Sequence, residues 1–547
     1  MKISSITSII FILSLTILGY GIPDSDGTKF ITSFLYKDAT NSSNFSLYLY
    51  FLTSVQNPGP VVVRYYSLVN KKMMLNSVAP EYGRVARLSF DYNDVISEGH
   101  FSTGMPLDVT DPRIFIDSTT PVKVIGHLFN RMNNQGDMYI VPPVTFAGTT
   151  YLVKLPKTGL MKLQLLHIMA LENQNVNVEM ISSTQGINLT STQNFTINGN
   201  LGSPQKIVSS ILSGSKKSYY FKASGPIIIT AAVNGADLNG YLVNSNATVN
   251  SAIDYTAFVP QPIGVWDMKT MLTPKDKRVT VAENTVALDV SPSDVMGYNK
   301  LPILTFNNLN ITNGVSAVIP IQQVTEYTID HSQVTEFATQ SSHAVAVWTR
   351  IGSPSANSNA TLNGMYIHYI PESTQFYSGE TQFITLYVGD YYEVYVENYT
   401  VGASLTLNGQ NVLINDQTSR NLGFFNKTYT VVKITVPIAG LNVFNCSLNY
   451  VGYVISKTNG NTNTAYGYLT GFNKSKLQTY WASSETTTTA VTGSFTSTTT
   501  TTTTPALSGT TTTEGNKIYT TTKSSSRMNL NLISICLLLI SKIFFFQ

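Results

Sequence analysis

The stretch RIFIDSTTPVKVIGHLFN, residues 113–130, indicates the fold class of this chain. It contains two short runs, 113–118 and 121–129, that are rich in β-branched and aromatic residues, and such runs favour β-strands. Turn signals such as NPGP, NDVISEG and NNQGD separate comparable runs before and after it. The pattern predicts short antiparallel strands with few helices, as in sandwiches and barrels.

Runs of the same kind extend across the region 22–480. They are FSLYLYFLT (45–53), PVVVRYYS (60–67), RVARLSFD (84–91), TTYLVKLP (149–156), PIIITAAVNG (226–235), residues 343–350, GMYIHYI (364–370), TQFITLYVG (381–389), YYEVYVENYT (391–400) and TYTVVKITVP (428–437). MKLQLLHIMALEN (161–173) also fits a helix by its periodicity, but its neighbours favour a strand. The turn-rich segment 259–274 lacks alternation, and a single core rarely exceeds about 300 residues. We therefore predict an all-β fold of two or more antiparallel, sandwich-like lobes, at 22–258 and 259–480.

The N-terminus carries the pattern of a secretory signal peptide. Lys2 precedes an apolar run over 6–18 that is too short to span a bilayer, and Gly19 and Gly21 supply the small residues of a cleavage site. Residues 1–21 are therefore predicted to be removed on secretion, which places the rest of the chain in the secretory pathway and at the cell surface.

A second apolar run ends the chain, within residues 527–547. Small residues, a polar spacer and a terminal hydrophobic tail are typical of a glycosylphosphatidylinositol (GPI) attachment signal, with Ser524 as the attachment residue. A single-pass membrane span is the alternative. It would be short, it would contain Lys542, and it would lack a flanking Lys/Arg cluster. In the first case the protein is held on the outer leaflet by a lipid.

Two kinds of sugar attachment are predicted. Residues 483–526 consist largely of Thr and Ser and offer almost no apolar surface for a core. Their composition is typical of a disordered, mucin-like, O-glycosylated stalk, with a plain linker as the alternative. Asn-x-Ser/Thr acceptors, expected at exposed positions of an ectodomain, are Asn41, Asn44, Asn188, Asn194, Asn246, Asn310, Asn359, Asn398, Asn426, Asn445 and Asn473.

Charge and cysteine content restrict the classes of partner. Charged residues make up only 12% of the chain and the formal net charge is +3, so no binding to nucleic acid is expected. A surface of hydroxyl and amide groups favours sugars and other neutral ligands. Of the two cysteines, Cys446 and Cys536, the second lies in the tail that lipid attachment would remove. Cys446 is expected to be a buried thiol, with an intermolecular disulfide as the alternative.

Glycine-and-strand patterns in both halves of the region 22–476 resemble a known extracellular domain. Residues 113–130 contain S-x-x-P-V-x-V-x-G, and residues 136–153, GDMYIVPPVTFAGTTYLV, contain P-x-x-x-x-G-T-x-Y. With the G-T-x-F of residues 24–35, they are similar to the N-terminal domain of the IgGFc-binding protein family. Residues 402–412 and 440–471 resemble its closing half, although Phe444-Asn445-Cys446 stands where members usually have a proline turn. The resemblance implies a mucus-associated or adhesive extracellular role, and immunoglobulin binding is not carried over.

No catalytic, cofactor-binding or metal-binding constellation is recognisable in the sequence. Residues 24–28, DSDGT, are superficially like an aspartic-protease loop, but that chemistry needs a second copy. The remaining ligands of a calcium loop are also missing around Asp24 and Asp26, so a turn before the first strand is expected. No i, i+4 pair or H-E-x-x-H motif occurs among His100, His127, His167, His331, His343 and His368.

Together these features predict a non-catalytic cell-surface glycoprotein, adhesive or mucin- or coat-like, that binds an extracellular protein or glycan. A host-defence receptor module that recognises one glycan or protein is the second hypothesis. A hydrolase with a dispersed site is the third, and it requires two carboxylates or a Ser/His pair in one cleft.

Overall fold

The two strands predicted at 113–118 and 121–129 are one continuous strand, Ile114–Asn130, in the computed structural model of the chain. Its pairing partners change between Val122 and Lys123, so the strand belongs to two sheets in succession. The prediction of two separate strands, the second beginning at Pro121, was therefore wrong. Proline lacks the N–H of a sheet ladder, but it is tolerated where a ladder is irregular, as at this change of partners.

The structure describes residues 21–477, apart from 38–41, 98–103, 185–186, 212–216, 242–247, 252, 267–274, 296, 310–311, 313, 342–345, 355–360, 401, 416–418 and 458–463. Residues 1–20 of the predicted signal peptide, the stalk, the C-terminal anchor signal and Ser524 lie outside these residues. Within them, no helix has the length and apolar character needed to cross a membrane.

The strands follow one plan four times along the chain. The first repeat contains β1 (Gly27–Thr32), β2 (Phe45–Leu52), β3 (Val61–Ser67), β4 (Lys72–Val78), β5 (Ala86–Phe90), β6 (Pro106–Val109), β7 (Ile114–Asn130) and β8 (Gln135–Val141). The second contains β9 (Gly148–Lys154), β10 (Thr158–Ala170), β11 (Asn175–Thr184), β12 (Ile187–Asn198), β13 (Gln205–Ser210), β14 (Lys217–Asp237), β15 (Thr248–Ser251) and β16 (Ile253–Phe258).

The second half of the described chain repeats the plan twice more. The third repeat contains β17 (Val265–Trp266), β18 (Asp276–Val281), β19 (Thr285–Ser291), β20 (Asp294–Val295), β21 (Lys300–Asn307), β22 (Val315–Pro320), β23 (Thr325–Thr328), β24 (Glu336–Ser341), β25 (Val347–Gly352), β26 (Thr361–Asn363) and β27 (Tyr366–Ile370). The fourth contains β28 (Tyr377–Thr385), β29 (Tyr391–Glu397), β30 (Leu405–Leu407), β31 (Gln410–Asn411), β32 (Ser419–Phe424), β33 (Lys427–Thr435), β34 (Gly440–Ile455) and β35 (Gly467–Leu469). Short helical segments are α1 (Tyr92–Val95) and 3₁₀ turns at Ser42–Asn44, Val144–Phe146, Leu238–Tyr241 and Ser373–Gln375.

In the first, second and fourth repeats, two antiparallel sheets share a long strand. In the first repeat the sheet orders are β1-β7-β3-β4 and β5-β2-β7-β8. The same orders recur as β9-β14-β11-β12 with β13-β10-β14-β16, and as β28-β34-β30-β31 with β33-β29-β34-β35. In the third repeat the long strand is divided, giving β18-β24-β21-β22 and β23-β19-β25-β27. The predicted all-β fold of several antiparallel lobes is confirmed.

The last strand of each repeat, here called the return strand, lies at the centre of the molecule. β8 contacts β16, β16 contacts β27, β27 contacts β35 and β35 contacts β8, so the four return strands close a ring. Asp254 in β16 connects the repeats of this ring by hydrogen bonds. Its carboxylate accepts backbone N–H groups from Gly136, Met365 and Ala465, which belong to the first, third and fourth repeats.

The predicted lobe boundary after residue 258 coincides with the end of β16. A further junction between repeats lies within each predicted lobe, after Val141 and after Ile370. The described residues belong to one compact unit.

Candidate ligand-binding groove

The segments that join the repeats line a common depression. These links are residues 142–147, 259–264 and 371–376, and residues 470–477 follow the last return strand. The central depression has a volume of about 270 Å³, and all three links and the terminal segment contribute to its lining. The contributions include Phe146 from the first link, Gln261 from the second, Gln375 from the third and Lys474 from the terminal segment.

Two further depressions continue the central one outward. The middle depression, of about 400 Å³, shares Thr145 and Lys474 with the central depression. The outer depression, of about 280 Å³, shares Lys29 and Val144 with the middle one. The three adjoin one another through these shared residues and are here called together the link groove.

The central depression combines aromatic rings with amide and hydroxyl groups. Phe146 and Tyr369 are partly exposed and pack against Phe472, with ring centroids 5.1 and 5.4 Å from it. The Tyr369 hydroxyl donates to Oε1 of Gln375 at 2.6 Å, and Nε2 of Gln375 donates to the Asn473 carbonyl at 2.9 Å. Rings held in this way offer an apolar surface beside polar groups, which suits ligands with both characters.

The outer depression has a fixed polar wall built on Arg64. The Arg64 guanidinium donates to both Glu172 oxygens at 3.1 Å and to Oδ2 of Asp117 at 2.9 Å. Its hydrogen bond to Glu172 lowers the pKa of that carboxyl. The guanidinium also lies 5.4 Å from the centroid of the Phe115 ring. Because the bidentate pairing fixes all three polar groups, this wall is preorganised for hydrogen bonding.

Two exposed lysines, Lys29 and Lys474, border the junctions between the depressions. Among the described residues neither belongs to an ion pair, although Nζ of Lys474 lies 5.8 Å from the centroid of the Phe146 ring. Two acidic groups line the same middle depression. Asp26 pairs with Lys123 at 2.7 Å, and Oδ2 of Asp24 accepts the backbone N–H of Lys474 at 2.9 Å. The groove therefore presents exposed charges of both signs, from Lys29 and Lys474 and from Asp24, whose side chain belongs to no ion pair among the described residues.

Residues 24–26 form the turn that was predicted before the first strand, and Gly27 and Thr28 begin β1. No ligand-binding role was predicted for this segment, yet Asp24, Asp26 and Thr28 line the middle depression. The groove itself was not predicted. A signal for it is present in the prolines that follow the return strands, at Pro142, Pro260 and Pro371, because proline ends a strand and begins an irregular link.

The described histidines are dispersed. Nδ1 of His127 is hydrogen-bonded to the Tyr50 hydroxyl at 3.3 Å, and Nδ1 of His167 is hydrogen-bonded to Oγ of Ser33 at 2.9 Å. Ser33 and His167 are a Ser/His pair, but both are buried, at 0% and 1% exposure, and neither lines the link groove. Within the described ranges no group of three or more His, Cys, Asp or Glu side chains could hold a metal ion. His100 and His343 lie outside the described residues.

Replacing His167 by glutamine is expected to reduce the acid sensitivity of folding. Burial lowers the pKa of folded His167 to about 3, whereas in the unfolded chain it is about 6.5. Below pH 6.5 the unfolded state therefore binds more protons and stability falls as pH falls. Urea unfolding at pH 7 and pH 5 should show that the wild type loses about 2 kcal/mol more than the variant. Equal losses in the two proteins would contradict the assignment.

The predicted glycosylation sites differ in how far their side chains are exposed in the structure. Cys446 is fully buried, as expected, and burial raises the pKa of its thiol to about 11. The adjacent Asn445 is half-exposed, because successive side chains of a strand point to opposite faces of the sheet. Exposed acceptors are Asn194, Asn398 and Asn426. Half-buried acceptors are Asn44, Asn445 and Asn473. The residues Asn41, Asn246, Asn310 and Asn359 and the side chain of Asn188 lie outside the description.

Comparison with known proteins leaves the chain without an assigned relative. No protein-family model matches it, and no curated protein matches it. Among solved structures it is similar to an anti-sigma factor domain-containing protein from Clostridium clariflavum, at 9% sequence identity, over 76% of this chain and 100% of the other. The TM-score of 0.11 is too low to support an argument about fold or function.

Proposed function

We propose that the protein is a non-catalytic, surface-displayed glycoprotein that binds glycan chains in the link groove. The observation that carries the proposal is that three depressions adjoin through shared lining residues, with residues from every link in the central one. Separately they measure about 270, 400 and 280 Å³, against a lower limit of about 300 Å³ for a small-molecule pocket. A row of adjoining depressions suits an extended ligand better than a compact one.

The chemistry of the lining supports a sugar ligand. Phe146 and Tyr369 offer ring surface for the apolar faces of sugars, and the Arg64 cluster offers fixed donors and acceptors for hydroxyl groups. Lys29 and Lys474 at the junctions, with the exposed Asp24 carboxylate beside them, add further donors and an acceptor for sugar hydroxyl groups. The low overall charge of the chain argues against a general attraction to polyanions.

The proposal also rests on the ends of the chain. A signal peptide, a Thr/Ser-rich stalk and a GPI attachment signal would display residues 22–477 outside the cell and away from the membrane. The resemblance to the IgGFc-binding protein N-terminal domain supports the same adhesive, extracellular role. Binding through a groove on the β-rich body is consistent with each of these features.

Replacing Thr145 by tryptophan is expected to weaken glycan binding by about tenfold or more, a change of at least ~1.4 kcal/mol. Thr145 is exposed and lines both the central and the middle depressions, so a large side chain there would obstruct the groove without entering the core. The full-length protein should first be screened on a glycan array and its best ligand measured by titration calorimetry with wild type and variant.

Thr192→Trp is the matched control, because Thr192 is an exposed threonine on β12 and does not line the groove. It should bind like the wild type. Lys474→Glu should weaken binding of acidic glycans more than that of neutral ones, with the exposed Lys222→Glu as its control. Unchanged affinity in Thr145→Trp would place the ligand elsewhere. Absence of any glycan ligand, with retention of a protein partner, would favour protein recognition.

A further inference from the structure

A lysine and two carboxylates meet in the interior where the second repeat contacts the third. Nζ of Lys154, at the end of β9, lies 2.6 Å from Oδ1 of Asp289 and also contacts Oε2 of Glu326. The three side chains are only 2%, 5% and 5% exposed. None of them lines the link groove.

The backbone fixes this arrangement. Asp289 on β19 and Glu326 on β23 are directly opposite each other in the antiparallel ladder, so their side chains share one face of the sheet. Lys154 reaches that face from a strand of another sheet. Leu155, Tyr241 and Ala287, adjacent to the triad in sequence or space, belong to one buried apolar cluster. The three reactive groups are therefore held together where bulk water has little access.

We propose that Lys154 and Asp289 form an intramolecular isopeptide bond, and that Glu326 transfers the protons. The Lys154 ammonium first passes a proton to the Asp289 carboxylate. The neutral amine then attacks Cγ of Asp289, and the Glu326 carboxylate accepts a proton from the attacking nitrogen. Glu326 returns that proton to the departing hydroxyl group. One water leaves, an Nζ–Cγ amide forms, Glu326 is again a carboxylate, and no oxidant or other reactant is needed.

Proximity and dehydration favour this step. Groups held in contact react as if at an effective concentration of about 10⁵–10⁸ M, which offsets the slowness of amide formation between free groups. A site that excludes water also disfavours the reverse hydrolysis. The bond would join residues 135 positions apart and link two repeats covalently. The described cysteine, Cys446, is free and supplies no such link.

The chain contains a matched pair that lacks the third group. Lys123 lies 2.7 Å from Asp26, and their side chains are 1% and 8% exposed. Among the described residues Asp26 is the carboxylate in contact with Lys123, and the Thr470 carbonyl accepts its other hydrogen bond. With no second carboxylate to move protons, this pair is expected to remain an ion pair.

Tryptic peptide mapping of the full-length protein tests the proposal. After denaturation and enzymatic removal of N-glycans, wild type should yield a branched peptide of residues 132–157 joined to residues 279–300, lighter than their sum by one water. Neither segment contains an Asn-x-Ser/Thr acceptor. The bond after Lys154 should be uncut, whereas cleavage after Lys123 should release residues 114–123 as the internal control. Separate linear peptides, one ending at Lys154, would overturn the proposed bond.

Glu326→Gln tests the role of the third group. This variant keeps the size of the side chain and should give the linear peptides, while circular dichroism shows that it is still folded. A branched peptide at wild-type yield would overturn proton transfer by Glu326. A branched peptide that joins Lys123 to Asp26 in the wild type would also overturn the role of Glu326, because the Lys123–Asp26 pair has no equivalent carboxylate. If the variant is not secreted, the wild-type digest still decides whether the bond at Asp289 forms with loss of water, and Asp289→Ala, which has no carboxyl carbon for the amine to attack, should give only the linear peptides.

Discussion

Replacing Asp254 by alanine is expected to lower the free energy of unfolding by about 4 kcal/mol or more. The buried carboxylate accepts backbone N–H groups of Tyr255, Ala465, Met365 and Gly136 at 2.7, 2.8, 3.1 and 3.3 Å. Alanine would leave these donors buried and unpaired, at roughly 1–3 kcal/mol each. Urea unfolding followed by tyrosine fluorescence or circular dichroism would measure the loss.

Asp254→Asn separates hydrogen bonding from side-chain size. Burial raises the pKa of Asp254 well above its usual range, and the backbone donors offset this only in part. An amide has one acceptor oxygen, and its NH₂ would face two of the N–H donors, so this variant should also be strongly destabilised. Asp108→Ala is the control, because Asp108 is an exposed aspartate paired with Lys206 and its loss should change stability by about 0.5 kcal/mol. Comparable losses at Asp254 and Asp108 would contradict a role in closing the ring.

Composition and alternation were sufficient to predict the fold class and most strands. FSLYLYFLT at 45–53 and YYEVYVENYT at 391–400 correspond to β2 and β29 within a few residues. The ambiguous segment 161–173 overlaps β10, so the strand interpretation was correct there. These successes depend on local preference, which β-branched and aromatic side chains express in any sheet.

The fourfold plan could not be predicted in this way, because it depends on pairings between distant strands. The long strands run over 17, 21 and 16 residues in the first, second and fourth repeats, but the third divides its equivalent between β24 and β25. The repeats also share little sequence. One feature that repeats share is a glycine that pairs with a tyrosine of the return strand and lies beneath its ring. Gly126 lies beneath Tyr139 in the first repeat, and Gly352 lies beneath Tyr366 in the third. A Cβ at either glycine would lie within 2.5 Å of the ring.

The site residues were missed for a related reason. The prolines that begin the links do not indicate which residues will meet, and Thr145, Gln261 and Lys474 become neighbours only when the ring of return strands closes. The Lys154 triad could not be predicted from the sequence either, since its members are separated by more than a hundred residues or by an intervening hairpin. In both cases single residues acquire significance through tertiary contacts.

A second buried contact joins the third repeat to the fourth. Arg350 on β25 and Glu393 on β29 are 0% and 3% exposed, and the guanidinium donates to Oε1 of Glu393 at 2.7 Å. Arg350 also donates to Oγ1 of Thr285 at 2.6 Å and to the Glu283 carbonyl at 2.7 Å. The Tyr395 hydroxyl donates to the same Glu393 oxygen at 2.8 Å. Each guanidinium nitrogen and each carboxylate oxygen of this buried pair therefore has a hydrogen-bond partner within the protein.

Replacing Glu393 by leucine is expected to destabilise the fold by about 3–5 kcal/mol, because it leaves the Arg350 charge buried without a counter-charge. Arg350→Met combined with Glu393→Leu removes both charges and should lose less than the sum of the two single variants. The exposed pair Arg84–Glu81 provides the control cycle, in which the coupling should be several times smaller because water hydrates both groups. The four proteins of each cycle would be compared by urea unfolding at neutral pH. If the losses in unfolding free energy of Arg350→Met and Glu393→Leu simply add up in the double variant, the two charges do not stabilise each other. Packing of the two side chains would then account for the contact between the repeats.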